Sequence, residues 1–290
     1  MKKMENFTLR ETKIGPIVGY HWPVKEAKCV VCIVHGMGEY AGRYERVVSG
    51  FNEAGFAVMS MDLRGHGLSP GKRGDCSPRD EVLEDISTLI STAARKYEGL
   101  PLIIYGHSMG GNLVLDYRRR GVFRDIAAGY IVSSPWVRLI RPISEPLHRT
   151  IRIISKILPT LTMGANIDET KLGDLKTILP YREDSMIHNR ISLRCAIDGF
   201  EIGTELEKAT DPARAGTDKI REIPTLLMHG SEDQICDIEG TRAVYENGKR
   251  RGENIQFIEW TGFLHELHNG SPERSGSEVV DRMIEFIKSC

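Results

Sequence analysis

The chain has 290 residues, with 39 Lys and Arg against 40 Asp and Glu, so its formal net charge is −1. This length suffices for one large α/β domain, or for a core domain with an insertion. The balanced charge gives no general attraction to nucleic acid. No stretch approaches the roughly 20 apolar residues that a membrane span needs, and residues 1–15 lack the apolar run of a signal peptide. The six cysteines are scattered, which favours reduced thiols and a cytoplasmic location.

Apolar strand-like runs alternate with helical patterns along most of the chain. Residues 7–11 and 16–22 are typical of an antiparallel hairpin. The apolar runs that follow cover residues 29–34, 56–61, 102–105, 130–133, 223–228 and 255–260. Continuous apolar runs separated by helices indicate a parallel sheet covered on both faces. The sequence therefore predicts an α/β fold with a mostly parallel eight-stranded sheet and helices on both faces.

One helix has clear start signals and a regular apolar face. Ser77 is placed to cap its N-terminus, and Pro78 lies in its first turn. Apolar residues then recur every three or four positions from Val82 to Tyr97.

In the strand run 29–34, Cys29 and Cys32 form a C-x-x-C motif. Because residues three apart on a strand point to opposite faces, this pair predicts no metal or redox site.

The alternation stops between residues 134 and 222. This stretch contains helical patterns and six prolines but no convincing strand. An insertion of this size between two sheet strands is best interpreted as a helical cap over the carboxyl edge of the sheet, where ligands bind in open α/β folds. We therefore expect residues 1–133 and 223–290 to form the core, and residues 134–222 to form the cap.

A nucleophile elbow is predicted at residues 106–110, which read Gly-His-Ser-Met-Gly. An apolar run precedes this motif and a helical pattern follows it, so Ser108 falls at the apex of a sharp strand–turn–helix. Small residues are needed two positions before and after a strained nucleophile, and Gly106 and Gly110 supply them. A serine alone is a weak nucleophile, so this interpretation depends on finding a base and an acid.

Candidates for both partners follow in the expected chain order of serine, acid and histidine. Asp233 lies in the loop after the run 223–228, with Glu232 and Asp237 as competitors. His265 lies five residues beyond the run 255–260 and before the final helix. His268 is a competitor, but the pair lacks the spacing of an H-E-x-x-H metal site. Ser108, His265 and Asp233 can thus supply nucleophile, base and orienting acid.

Two backbone N–H groups are expected to hold the oxyanion of a tetrahedral intermediate. Met109, the residue after the nucleophile, supplies one candidate. The second is Met37, in the turn His35-Gly36-Met37-Gly38 that follows the first apolar run. This chemistry needs no metal and no organic cofactor.

Jointly, these motifs resemble the monoacylglycerol lipase and lysophospholipase group of α/β-hydrolases. The resemblance rests on blocks in family order along nearly the whole chain, namely HGMGEYAGRY at 35–44, DLRGHGLS at 62–69, GKRG at 71–74, GHSMGG at 106–111, HGSEDQIC at 229–236 and HELHN at 265–269. A weaker likeness covers residues 181–188. By motif, the resemblance assigns Ser108, Asp233 and His265 as the triad, and Met37 and Met109 as oxyanion donors. It departs from the family at Gly270, where an acidic residue is usual, and across most of the cap.

The substrate expected from this resemblance is a carboxylic ester of a medium- or long-chain fatty acid, such as a monoacylglycerol or lysophospholipid. Basic residues and an apolar stripe at helical spacing share residues 138–158, so the cap suits transient contact with an anionic lipid surface. The competing interpretation is a cap helix packed on the core with a solvated basic face. Alternative activities are a small-ester carboxylesterase or an aminopeptidase of the same fold. A binding protein on an inactive hydrolase scaffold would lack a triad residue, whereas all three candidates are present here. The sequence does not predict the oligomeric state.

Overall fold

The computed structural model describes residues 4–178, 183–208 and 218–290. Residues 181 and 182 of the weaker family likeness in the insertion lie outside these ranges. The strands are β1 Glu5–Thr12, β2 Gly15–Trp22, β3 Cys29–Val34, β4 Phe56–Met61, β5 Leu102–His107, β6 Gly129–Ser133, β7 Thr162–Gly164, β8 Arg190–Ser192, β9 Thr225–Gly230 and β10 Ile255–Trp260. The α-helices are α1 Glu45–Glu53, α2 Arg79–Lys96, α3 Met109–Arg120, α4 Glu145–Ile157, α5 Leu175–Ile178, α6 Leu193–Lys208, α7 Asp218–Glu222, α8 Ile238–Arg250 and α9 Ser277–Ser289.

Eight strands form one sheet in the order β1-β2-β4-β3-β5-β6-β9-β10. The opening hairpin β1–β2 is antiparallel, and β2 pairs antiparallel with β4. From β4 to β10 every neighbouring pair is parallel. The predicted mostly parallel eight-stranded sheet is therefore confirmed. Because parallel strands end at one edge, the loops after β3, β5, β9 and β10 emerge on the same side of the molecule.

Both faces of the sheet are buried, as the continuous apolar runs predict. Along β3, Val30 and Val34 belong to the core on one face, while Val31 and Ile33 belong to the core on the other. The first core also contains the buried faces of α2 and α3, and the second contains those of α1 and α9. Cys32 and Cys29 likewise fall in different cores.

The start of α2 differs from the prediction. Its N-cap residue is Pro78, and the helix begins at Arg79 with no side-chain cap. The Ser77 hydroxyl instead donates to the Asp75 carboxylate at 2.6 Å, and Ser192 Oγ donates to the same oxygen at 2.6 Å. The expected Ser77 cap was wrong because the helix begins one residue later, and its first N–H, that of Arg79, donates instead to the Asp198 carboxylate at 2.9 Å.

The segment between β6 and β9, which we call the inserted segment (residues 134–222), is helical in its larger described elements. It also contains β7 and β8, which pair antiparallel over three residues each. The expectation of no strand here was therefore wrong, since strands this short leave no periodic pattern. Helix α6 packs on the core, because the Asn112 side chain in α3 donates to the Gly199 carbonyl at 3.1 Å. None of the described helices is long and apolar enough to cross a membrane.

Candidate active site

Ser108 lies at the sharp turn between β5 and α3 with a φ of 54°. Its flanking glycines allow the turn because the space for side chains is filled. A Cβ at Gly106 would overlap the Gly110 carbonyl, and a Cβ at Gly110 would overlap the Val34 carbonyl. The geometry is that of a nucleophile elbow, with a strained nucleophile backbone.

A continuous hydrogen-bonded chain joins Ser108, His265 and Asp233. His265 Nε2 lies 2.9 Å from Ser108 Oγ, and His265 Nδ1 lies 2.7 Å from Asp233 Oδ2. Asp233 follows β9 and His265 follows β10, so neighbouring parallel strands bring the two residues together. The ring can donate its Nδ1 proton to the carboxylate while Nε2 accepts from the serine hydroxyl.

The protonation of the pair follows from burial and mutual attraction. Burial alone favours the neutral form of the Asp233 carboxyl, but its bonds to His265 and His229 outweigh this effect and lower its pKa. Burial likewise disfavours the charged His265 ring, while the Asp233 carboxylate raises the pKa of this histidine above 6.5. An ionised acid beside a histidine whose pKa it raises suits general-base chemistry.

The competing candidates have other contacts. Asp237 caps α8 by accepting from the Glu239 N–H at 3.0 Å, and Glu232 accepts from Ser231 Oγ at 3.3 Å. His268 stacks on the Tyr44 ring with centroids 5.1 Å apart, and burial lowers its pKa to about 4. The structure therefore brings together the favoured residues rather than their competitors.

The loop after β3 lies against the elbow. A Cβ at Gly36 would come 3.1 Å from the Ser108 Cβ. The Gly36 N–H donates to Glu39 Oε1 at 2.5 Å. Within the described residues, the N–H groups of Met37 and Met109 donate to no protein acceptor. Met109 directly follows Ser108 and Met37 directly follows Gly36, so both N–H groups remain candidate oxyanion donors.

Two cavities meet at Ser108. One, of about 440 Å³, has charged and polar side chains in its walls, among them Glu39, Arg43, His188 and Glu266, and we call it the polar cavity. The other, of about 510 Å³, is mainly apolar and is lined by Trp136, Leu139, Ile143, Met163, Ile191, Ala196, Phe200 and Ile235, with Arg141 and Lys171 also in its walls. Met37 and the loop at Ile167 line both. A group bonded to Ser108 can therefore extend into apolar surroundings while a leaving group occupies polar ones.

A buried charge cluster in the polar cavity was missed by the sequence reasoning. Arg43 donates to both carboxylate oxygens of Glu266 at 2.9 and 3.0 Å, and Glu39 lies 3.4 Å from the same guanidinium. Burial and the neighbouring Glu266 raise the pKa of Glu39, although Arg43 opposes the shift. The pairing joins residues 223 positions apart, so local spacing carries no signal for it.

Gly270, where the sequence departs from the expected family pattern, has a φ of 82°. A side chain there would crowd the Arg274 carbonyl and the Gly276 N–H. The conformation favours glycine, and His265 keeps its bond to Asp233 without an acidic neighbour at this position.

Comparison with known proteins adds to this geometry. The family model described as serine aminopeptidase, S33, matches residues 25–272. A monoacylglycerol lipase of Mycolicibacterium smegmatis is 31% identical over 268 residues, which are 92% of this chain and 90% of that protein. The crystal structure of Paleococcus ferrophilus monoacylglycerol lipase superposes with a TM-score of 0.79 at 27% identity, covering 94% of this chain and 98% of that one. The chain belongs to the monoacylglycerol lipase family of α/β-hydrolases.

The predicted family and fold are thereby confirmed, and the chain is an ester hydrolase whose relatives point to lipid esters. The same domain also occurs in a longer protein. An uncharacterized abhydrolase domain-containing protein of Dictyostelium discoideum is 31% identical over 259 residues, and this chain spans 26% of its length.

Proposed function

We propose that the protein is a serine esterase that cleaves medium- or long-chain fatty acyl esters, with monoacylglycerols and lysophospholipids as its substrate class. The observation that carries this proposal is the meeting of an apolar and a polar cavity at Ser108. The apolar cavity suits the acyl chain, since burying each methylene contributes about 0.8 kcal/mol. The polar cavity suits the alcohol.

In the proposed reaction, His265 removes the Ser108 proton as Oγ attacks the ester carbonyl. Asp233 holds the histidine and stabilises its charged form. The N–H groups of Met37 and Met109 stabilise the oxyanion, and loss of one such donor costs on the order of 3 kcal/mol. His265 then protonates the departing alcohol, and water repeats the attack on the acyl-enzyme to release the acid.

The inserted segment is the proposed cap, between core parts 1–133 and 223–290. It supplies much of the apolar wall, including Ile143, Met163 and Phe200. We expect the cap to set acyl preference while the core supplies the reacting groups.

The test is fatty acid release by the purified protein from monooleoylglycerol and oleoyl lysophosphatidylcholine, with p-nitrophenyl butyrate as a small ester. Ser108→Ala is the matched control for each substrate. Fast release from an oleoyl ester that disappears in Ser108→Ala supports the proposal. Ser108-dependent cleavage of butyrate without oleate release would assign the chain to small esters instead.

An aminopeptidase activity is a second candidate because of the acidic walls of the polar cavity. Asp168 and Glu169 lie there with Glu39 and Glu266, and a free amino terminus needs a carboxylate partner. Glu266 is already paired with Arg43, which favours the ester reaction. Release of p-nitroaniline from leucine p-nitroanilide faster than from its N-acetylated form would support the peptidase activity.

We also propose that α4 contacts lipid surfaces. Ile153 and Ile157 on this helix are 64% and 75% exposed, which the interpretation as a fully packed cap helix does not explain. Arg149 lies one turn before Ile153 on the same side of the helix, and Arg152 lies on its flank, so both can reach anionic headgroups. Flotation with vesicles of anionic lipid tests this: Ile153→Asp and Ile157→Asp should weaken binding. Val122→Asp, which changes an apolar residue 79% exposed on the core, should not.

A further inference from the structure

Asp233 has a second histidine partner. His229, in β9, places its Nε2 3.1 Å from Asp233 Oδ2, the oxygen that His265 Nδ1 approaches at 2.7 Å. The other carboxylate oxygen accepts from the N–H groups of Ile235 and Cys236 at 2.8 and 3.0 Å. Both imidazoles are buried, with the His229 side chain wholly inaccessible. Oδ2 of Asp233 is therefore within hydrogen-bonding distance of both the His229 ring and the His265 ring.

The contacts of His229 fix which of its nitrogens carries the proton. Its Nε2 lies 3.1 Å from the Cys236 carbonyl oxygen, which can only accept. Nε2 must therefore be protonated, and it faces two acceptors, this carbonyl and Asp233. The other nitrogen, Nδ1, lies 2.8 Å from Thr241 Oγ1 and can accept from that hydroxyl. The neutral ring satisfies all these contacts without a second proton.

We propose that His229 is a positioning residue that holds the Asp233 carboxylate toward His265 and limits how strongly this carboxylate stabilises the charged His265. The inference rests on the proposed triad. The hydrogen bond from neutral His229 stabilises the negative charge on Oδ2. The attraction between this oxygen and the Nδ1 proton of charged His265 is therefore weaker than it would be without His229. Without His229, the carboxylate would bind protonated His265 more strongly, and the base would become available only at higher pH.

Other groups around His265 are not changed by a substitution at His229. His107 at the end of β5 and His268 in its own loop face the His265 ring region, and Glu266 and Glu39 act on it by charge. A difference between variants at His229 therefore reports on Asp233 rather than on these neighbours.

The experiment compares the pH dependence of kcat/KM for p-nitrophenyl butyrate in wild type, His229→Leu and His229→Gln. The leucine variant removes the donor, and its acid limb should move up by roughly half to one pH unit, the size expected for one neutral hydrogen bond. The glutamine variant keeps an N–H near the Nε2 position and should restore the limb toward that of wild type. His21→Leu, which removes a buried histidine on β2, controls for loss of a core imidazole and should leave the limb unchanged.

An acid limb in His229→Leu that coincides with that of wild type would overturn the inference. If His229→Leu does not fold, NMR of the ¹⁵N-histidine-labelled Ser108→Ala protein gives the answer, because it reports the tautomer directly. A proton on His229 Nε2 is the expected result, and a proton on Nδ1 alone would refute the shared carboxylate. Failure of the triad itself is distinguishable, since Asp233→Asn would then retain full activity.

Discussion

Replacing Ala196 with leucine tests whether the apolar cavity holds the acyl chain. Ala196 is 1% exposed on α6 and lines this cavity beside Ile191 and Phe200. The leucine side chain adds three carbon atoms, and these would occupy space inside the cavity. An acyl chain long enough to pass this point would then lose part of its contact.

The magnitude follows from the number of methylenes displaced. Three added carbons exclude about three methylenes, and each buried methylene contributes about 0.8 kcal/mol. The loss of about 2.4 kcal/mol corresponds to a roughly 60-fold fall in kcat/KM for long-chain esters. An acetyl ester, with a single methyl beyond the carbonyl, should change less than about threefold because it has no chain to lose contact.

The assay is kcat/KM for p-nitrophenyl esters from acetate to palmitate, in wild type and Ala196→Leu, with thermal unfolding to check folding. Phe200→Ala enlarges the same cavity and should shift the preference toward longer chains. An equal loss on acetate and palmitate would show damage to the reacting groups rather than a shortened pocket. Unchanged palmitate kinetics would place the acyl chain elsewhere and refute the reasoning.

Three other outcomes follow from the site. The raised pKa of His265 places the acid limb of kcat/KM above pH 6.5. Because a base must be neutral to accept a proton, the rate falls as the pH drops through this pKa. A limb below pH 6 would contradict the assignment of His265 as the base. His265→Gln should lower kcat on the order of 10⁶-fold, whereas His268→Gln should keep most of it. Equal losses would reopen the choice between the two histidines. Cys236 is buried within hydrogen-bonding reach of Ser108, and burial raises the pKa of its thiol, so N-ethylmaleimide should slow turnover gradually. Cys236→Ala should resist the reagent. Inactivation of this variant at the wild-type rate would show that Cys236 is not the residue through which the reagent acts.

The sheet could be predicted because its strands are buried on both faces, as β3 shows with core residues at every position. The predicted runs 29–34, 56–61 and 255–260 match β3, β4 and β10, and the other three runs differ from β5, β6 and β9 by one or two residues at one or both ends. The Ser77 cap failed because the helix begins at Arg79, whose N–H donates to the Asp198 carboxylate 119 positions away. A partner at this distance in the chain depends on tertiary packing that propensity does not contain.

The candidate site was predictable in its principal residues because motif order fixes which strand ends carry them. Ser108, Asp233 and His265 each follow a strand of the parallel sheet, and the loops at this one edge bring them within hydrogen-bonding distance. The contact between His229 and Asp233 could not be predicted, since a histidine inside an apolar strand has no pattern of its own. Its bond to Asp233 and the pairing of Arg43 with Glu266 depend on contacts across the fold.

The most direct test of the account is to trap the intermediate. Wild-type protein mixed with monooleoylglycerol and quenched in acid within one turnover should carry an oleoyl ester on the peptide that contains Ser108, as read by mass spectrometry. Ser108→Ala should carry none and release no oleate. Oleate release without this ester, or an ester on another residue that persists in Ser108→Ala, would contradict the account.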